Sequence, residues 1–260
     1  MGTFRSGGEA FRAGIAVRNI MDRHGMFRVK NKEARDAWLK KTLKALPAGH
    51  SILDVGAGEC AYKKYCCHLD YVSQDIAQYD GKGNTKGLHT KTWDFDQIDL
   101  VCDVYEIPED RTYDHILCTE VLEHVVDPVR AVEKMVRLMA PGGTIIVTAP
   151  FNSLTHFAPY HYCTGFSEYF YRHHFERFGC EIETLEPNGG FFDFMDQEIG
   201  RVRRVRKQFS GWLPDPLSLI IQLLARLNVR LLAALDGPRD RRKSSELQTF
   251  GWHVVARKQK

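Results

Sequence analysis

Two clusters of side chains in this 260-residue chain have the types and spacing to do chemistry. The first is Asp54-Val55-Gly56-Ala57-Gly58-Glu59-Cys60-Ala61, with Asp75 lying 21 residues beyond Asp54. Glycines placed straight after a buried strand let the backbone approach a ligand where a side chain would collide. Gly56-x-Gly58-x-x-Ala61 followed by an acidic residue also fits the dinucleotide fingerprint, so these residues alone leave NAD binding open. Asp54 stands two residues before the first glycine. It suits a ligand's amino group, whereas a pyrophosphate there would be repelled.

The second cluster follows Pro150. Residues 151–166, Phe-Asn-Ser-Leu-Thr-His-Phe-Ala-Pro-Tyr-His-Tyr-Cys-Thr-Gly-Phe, are dense in rings and hydroxyls. Such residues can stack an acceptor, donate hydrogen bonds to it and take its proton. Histidine titrates near neutral pH, so His156 or His161 is the expected general base, with Tyr160 orienting the acceptor. The plainer reading is that the histidines brace the loop. His156, His161, His173 and His174 match no strong ligand spacing, so no metal is expected.

These residues need elements to position them. Asn31 can cap a helix running through Trp38, Leu39, Leu43 and Leu46 to Pro47-Ala48-Gly49. Ser51–Val55, Tyr71–Asp75, Leu100–Val104, His115–Cys118, Thr144–Ala149, Glu181–Leu185 and Thr249–Ala256 read as strands. Helices are expected over Val129–Met139 and Ser167–Phe178. Strands alternating with helices imply βαβ units and a parallel sheet, with ligands beyond the carboxyl ends of the strands. Both clusters fall at such ends.

Two further segments sharpen the reading: Tyr113-Asp114-His115-Ile116-Leu117-Cys118-Thr119-Glu120-Val121-Leu122-Glu123-His124-Val125, and Leu138-Met139-Ala140-Pro141-Gly142-Gly143-Thr144-Ile145-Ile146-Val147. With Asp54–Ala61 before them, in this order, residues 48–187 and the last strand resemble the class I S-adenosylmethionine-dependent methyltransferases. More loosely, the 151–166 loop looks like the acceptor loop of methyltransferase type 11-like members from surface-polysaccharide and secondary-metabolite pathways. The resemblance implies an α/β fold: a Rossmann-like, seven-stranded, mostly parallel sheet with helices on both faces. Its last strand would run antiparallel between the fifth and sixth. S-adenosylmethionine would be the cofactor, held by Asp54, Gly56, Ala57, Gly58, Asp75, Ile76, Asp103, Val104, Thr119 and Glu120. Gly56 and Gly58 would approach its methionine part, and Asp54 its amino group. Asp75 would accept from the ribose hydroxyls, Asp103 with the Val104 backbone would meet the adenine edge, and Thr119 and Glu120 would floor the sulfonium. Read without the resemblance, Asp75 and Asp103 are turn residues, Glu120 is a helix cap, and His124 is a packed helix residue.

The expected organisation is an N-terminal helical cap over 1–47 and a methyltransferase domain over 48–260. The latter contains a largely helical, basic insertion over 188–247, before the last strand. Charge is divided unevenly: residues 1–200 carry a net −7 and residues 201–260 a net +10. A basic end of this kind suits phosphate on a ligand or a membrane surface. Residues 217–235 read as an apolar helix with one polar stripe at 218, 222, 226 and 230. Its apolar circumference is expected to be buried as a lid, against a second subunit, or in a membrane interface contacted through 201–235.

Seven cysteines, without a C-x-x-C pair, point to a reducing cytoplasmic setting, with membrane association left open. Met1–Ser6 also matches the short myristoylation pattern. The function expected is methylation of a hydroxyl on a sugar, glycan, lipid-linked or other small acceptor. Methylation of a nitrogen, and a catalytically silent cofactor-binding module, are the alternatives. Nucleic acid is disfavoured as an acceptor, because the chain lacks an Asn/Asp-Pro-Pro-aromatic tetrapeptide.

Overall fold

The computed structural model describes residues 29–90, 92–209 and 215–260. The myristoylation pattern and most of the expected N-terminal cap lie outside the described residues. In chain order the described elements are α1 (Asn31–Lys44), β1 (Ser51–Val55), β2 (Asp70–Asp75), β3 (Leu100–Val101), β4 (Tyr113–Thr119), α2 (Pro128–Leu138), β5 (Met139–Pro150), α3 (Glu168–Arg177), β6 (Cys180–Pro187), α4 (Phe191–Phe209), α5 (Asp215–Ser244) and β7 (Gly251–Lys258). Short 3-10 turns cover Lys63–Tyr65, Val104–Glu106 and Leu122–His124.

The seven strands form one sheet in the order β3-β2-β1-β4-β5-β7-β6. β1 through β5 pair in parallel, and β7 runs antiparallel between β5 and β6. The central strands are continuous apolar runs because both of their faces are covered. Ile52, Leu117 and Ile146 share one face with Leu39 and Leu43 of α1. Leu53, Ile116, Ile145 and Val147 share the other with Val132 and Met135 of α2 and with Tyr171 and Phe175 of α3. Successive strand residues thus alternate between the two layers.

Local chemistry sets the boundaries. α2 starts one residue earlier than expected, at Pro128, whose missing N–H costs nothing in the first turn. The Asp127 carboxylate caps it by accepting from the Arg130 N–H at 3.0 Å. The third strand is only two residues long, since Asp103 leaves it to accept from the Tyr105 N–H at 3.0 Å and start a 3-10 turn. Asn31 is not a cap residue standing before α1. It is the first residue of the helix, and its side-chain oxygen accepts from Asn188 Nδ2 at 2.9 Å.

The described chain divides into two compact units: Asn31–Asn188 with Phe250–Lys260, and Gly189–Thr249 with residues 29–30. α1 packs on the sheet and belongs to the sheet's unit. The second unit contains α4 and α5, which are joined by polar contacts. Asp196 of α4 is buried and accepts from Arg226 at 2.8 and 2.9 Å and from Arg230 at 3.1 and 3.4 Å. Gln222 Nε2 donates to the Ile199 and Gly200 carbonyls, and Ser218 is buried. The polar stripe of α5 is therefore its packing face, and Leu219, Ile220, Leu223, Leu224, Leu227 and Leu231 are exposed.

Candidate cofactor and acceptor site

β1 ends at Val55, and the next turn needs glycine for two reasons. Gly56 and Gly58 have φ of +67° and +55°, a backbone region that L side chains rarely adopt. A Cβ on Gly56 would also lie 2.4 Å from a Val121 methyl, and one on Gly58 would lie 2.7 Å from the Trp93 ring. The glycines thus let the turn nest against this chain's own side chains, besides leaving backbone bare toward a ligand.

The same turn is tied to β2. Gly58 N–H donates to Asp75 Oδ2 at 2.9 Å, Ala77 N–H to Oδ1 at 2.8 Å, and Ala57 N–H to the Gln74 carbonyl at 2.9 Å. Burial raises the Asp75 pKa, and the donated backbone N–H groups oppose that rise. Asp54 is 1% exposed. Tyr71 Oη donates to its Oδ2 at 2.6 Å, while Oδ1 is buried without a partner. Burial pushes this carboxyl up to about 7, with the Asp75 charge adding and the Tyr71 bond opposing.

At the carboxyl ends of the strands lies a cavity of about 450 Å³. Gly56, Asp75, Ile76, Asp103, Val104 and Glu120 line it, six of the ten residues expected at the cofactor. Asp54, Ala57, Gly58 and Thr119 are not among its lining residues. One wall is aromatic: Tyr79 lies 4.6 Å from Phe157 and 5.8 Å from Trp93, ring centre to ring centre. Tyr79, Trp93 and Phe95 were not anticipated. The available signal was two large rings, at 93 and 95, in an otherwise polar stretch. Three carboxylates line the cavity, and no lysine or arginine does among the described residues.

Glu120 lines the cavity from the end of β4. It has φ of +56°, its N–H donates to the Thr148 carbonyl, and Thr148 Oγ1 donates to its carboxylate at 3.1 Å. The other carboxylate oxygen forms an ion pair with Arg35 of α1, a partner that no local pattern announced. Burial by itself would lower the Arg35 pKa, but Glu120, Tyr62 and Asp36 together outweigh it and the pKa is raised.

The loop after β5 is clamped on two sides. Asn84 N–H donates to the Ala158 carbonyl, Leu88 N–H to that of Thr155, and Phe157 N–H to that of Leu88. Across the loop, the Tyr162 and Cys163 N–H groups both donate to the Glu123 carbonyl. Of the three residues expected to be catalytic, Tyr160 lines the cavity, and its hydroxyl lies 3.4 Å from Gln78 Oε1. His156 and His161 are not among the lining residues, and their ring centres are 4.8 Å apart. His161 Nε2 is 3.2 Å from Ser153 Oγ.

His124 does line the cavity, 4.7 Å from His156 and 6.1 Å from His161 between ring centres. Its Nδ1 donates to the Tyr160 carbonyl. Burial, reinforced by His156 and His161, pushes its pKa down to about 3. It belongs to the site, not to a helix face, because residues 122–124 form a 3-10 turn whose end faces the loop.

Comparison with known proteins shows the family. A family profile described as a methyltransferase domain matches residues 26–198. Ajmaline N-methyltransferase of Rauvolfia serpentina is 28% identical over 206 residues, which is 76% of this chain and 58% of that protein. The chain thus spans little more than half the length of this curated relative. Among solved structures, the N-methyltransferase NodS of Bradyrhizobium japonicum WM9, in complex with S-adenosyl-L-homocysteine, is 16% identical with a TM-score of 0.43. That match covers 62% of this chain and 80% of the other. A phosphoethanolamine N-methyltransferase 2 of Haemonchus contortus is 14% identical with a TM-score of 0.45, covering 87% of this chain and 52% of the other.

Proposed function

Because the chain belongs to the class I S-adenosylmethionine-dependent methyltransferase family, we propose that it methylates a hydroxyl of a sugar, glycan, lipid-linked or other small acceptor. The observation that carries the cofactor half is the charge of the cavity. Three carboxylates and an aromatic wall, without a lysine or arginine, favour a cationic sulfonium and a flat base. The same lining would repel the pyrophosphate of a dinucleotide. The unpartnered Asp54 Oδ1 is a further fit, since a ligand ammonium would supply the charge that burial denies it.

S-adenosylmethionine supplies a methyl group that is already electrophilic. The chain has to hold the acceptor in line with it and remove the acceptor's proton. We assign Asp75, Gly56, Ile76, Asp103 and Val104 to binding, with Glu120 and Thr119 beneath the reacting centre. Asp54 would meet the ligand's ammonium, and Ala57 and Gly58 carry the turn. Tyr160 orients the acceptor from the cavity wall.

Among the histidines, His124 is held too acidic to be a good base. His156 packs edge-on against His124, at 4.7 Å between ring centres. Of the two expected bases we assign His161, half-buried with its Nε2 3.2 Å from Ser153 Oγ. Its pKa is lowered first by burial and then by His156, which keeps it neutral and able to accept. Incubating the protein with S-adenosylmethionine and a panel of acceptors, read by a mass gain of one methyl, tests the reaction. His161→Ala is expected to lose at least about a hundredfold in turnover while retaining cofactor affinity. Full turnover in that variant removes the base assignment. No methyl gain on any hydroxyl would favour the second reading, an amine acceptor, toward which ajmaline N-methyltransferase points by its name.

The exposed apolar face of α5 is the second element of the proposal. Among the described residues, Pro216–Leu235 is long and apolar enough to cross a membrane by length and composition. Its polar stripe is bonded to α4 through the Asp196 ion pairs, so we assign it to the interface of an anionic membrane, in a cytoplasmic setting. A membrane-bound, lipid-linked acceptor would be met there. Burial against a second subunit is the competing fate of this face.

A further inference from the structure

Beneath the acceptor loop, three potential metal ligands converge that neither the cofactor nor the base assignment uses. Glu123, His124 and His156 each offer one ligand atom, all within 4.8 Å of one another. Glu123 is 1% exposed and its Oε2 is buried without a partner. An unpaired oxygen of a buried carboxyl is costly unless a proton or a cation answers it. His124 Nε2 is likewise buried without a partner.

The imidazoles are prepared for coordination. A carbonyl oxygen only accepts, so the Tyr160 carbonyl fixes the His124 proton on Nδ1, and the Leu154 carbonyl does the same for His156 at 2.8 Å. Each ring then carries its lone pair on Nε2. A backbone carbonyl holding the distal N–H is the usual support of a metal-bound histidine. The rings stand nearly perpendicular, at 82°, as two ligands converging on one point from different directions can. The backbone fixes the three residues relative to one another, since the Glu123 carbonyl accepts the Tyr162 and Cys163 N–H groups of the loop that carries His156.

We propose that Glu123, His124 and His156 bind one divalent transition-metal ion, zinc or a similar ion, with a coordination position left open toward the acceptor. Two imidazoles and one carboxylate are a donor set suited to zinc, manganese or cobalt rather than magnesium, and three protein ligands leave room for an oxygen. The acceptor's hydroxyl would take that position, where the cation lowers its pKa and eases loss of its proton to His161. This acceptor role rests on the hydroxyl reading above; the metal site itself does not.

The test uses the full chain stripped with chelator, then titrated calorimetrically with zinc chloride and spectroscopically with cobalt chloride. One equivalent is expected to bind at micromolar affinity or better, with cobalt giving the visible absorption of a low-coordinate site. Glu123→Gln and His156→Ala should each weaken it at least about tenfold. His173→Ala, an exposed histidine of α3, should bind as the native chain does. S-adenosylmethionine titration of each variant checks that the fold survives. A native chain that binds neither ion overturns the proposal, whatever becomes of the variants. Equal affinity in native chain, Glu123→Gln and His156→Ala overturns it too, since the ion then sits elsewhere. Metal bound as expected by a chain that methylates no hydroxyl would keep the site and discard the acceptor reading.

Discussion

Asp54, His115 and His253 are buried titratable groups that pull the protein's stability in opposite directions with pH. His115 is pushed down to about 4 by burial and by His50, whose Nδ1 lies 3.1 Å from its Nε2. His253 is pushed down to about 4 by burial and by Arg35. Between about 6.5 and 4 the unfolded chain takes up protons that these two cannot, so their contribution is present above 6.5 and falls away on acidification. Asp54 does the reverse: held near 7, it keeps a proton that the unfolded chain releases above about 4, so it favours the folded state at low pH.

Each histidine is worth up to about 3 kcal/mol, and Asp54 a similar amount of opposite sign. His124, pushed down to about 3, acts with the two histidines, and Glu123, raised by burial, acts with Asp54. Denaturant unfolding of Asp54→Asn should therefore show a larger gain in stability from pH 5 to pH 7 than the native chain shows. An equal gain in both would contradict the assignment.

At this scale the residues after strand ends were legible in sequence, because glycine and acid types there have few other uses. Arg35, Tyr79, Trp93 and His124 were not. Their roles come from segments distant in sequence that meet only in the folded chain. His124 in particular reads as helical by pattern, and is placed by a 3-10 turn instead.

Elements carry a second lesson. The polar spacing at 218, 222, 226 and 230 was visible, but its partner was not: the stripe packs on α4 and the apolar surface faces out. A buried carboxylate that two arginines can share outweighs the usual rule that leucines turn inward, because Asp196 left alone would be costly. Asp196→Ala should loosen the α4–α5 pair by about 2 kcal/mol, a value discounted from fully buried pairs because Arg230 is half exposed. Limited proteolysis within residues 191–244 should accelerate, with cofactor affinity unchanged. Unchanged proteolysis would mean that the ion pairs do not hold the helices together.

Strand existence was legible because the central strands are apolar on both faces. Strand length was not: Asp103 ends β3 early by binding its own turn, a choice made by two atoms.

The whole molecule combines a sheet whose ligand edge is lined by carboxylates with a segment over 201–260 that carries net positive charge. On the membrane proposal, the positive segment would meet an anionic surface. Flotation with vesicles containing anionic phosphatidylserine should carry the native chain upward at low salt. Ile220→Asp with Leu224→Asp should abolish this. Absence of flotation at low salt would exclude the membrane assignment and favour a second subunit over α5.

The class of the fold followed from the order of strands, glycine turn and acidic residues. The acceptor's identity did not, because a loop of rings and hydroxyls suits many acceptors. The central claim concerns the cofactor, and calorimetric titration of S-adenosylmethionine and of NAD, on the native chain and on Asp75→Ala, tests it most directly. Micromolar binding of S-adenosylmethionine alone is expected, weakened at least about tenfold by the substitution, as loss of a charged acceptor of hydrogen bonds would cause. Preference for NAD, or no binding of S-adenosylmethionine, would contradict the account.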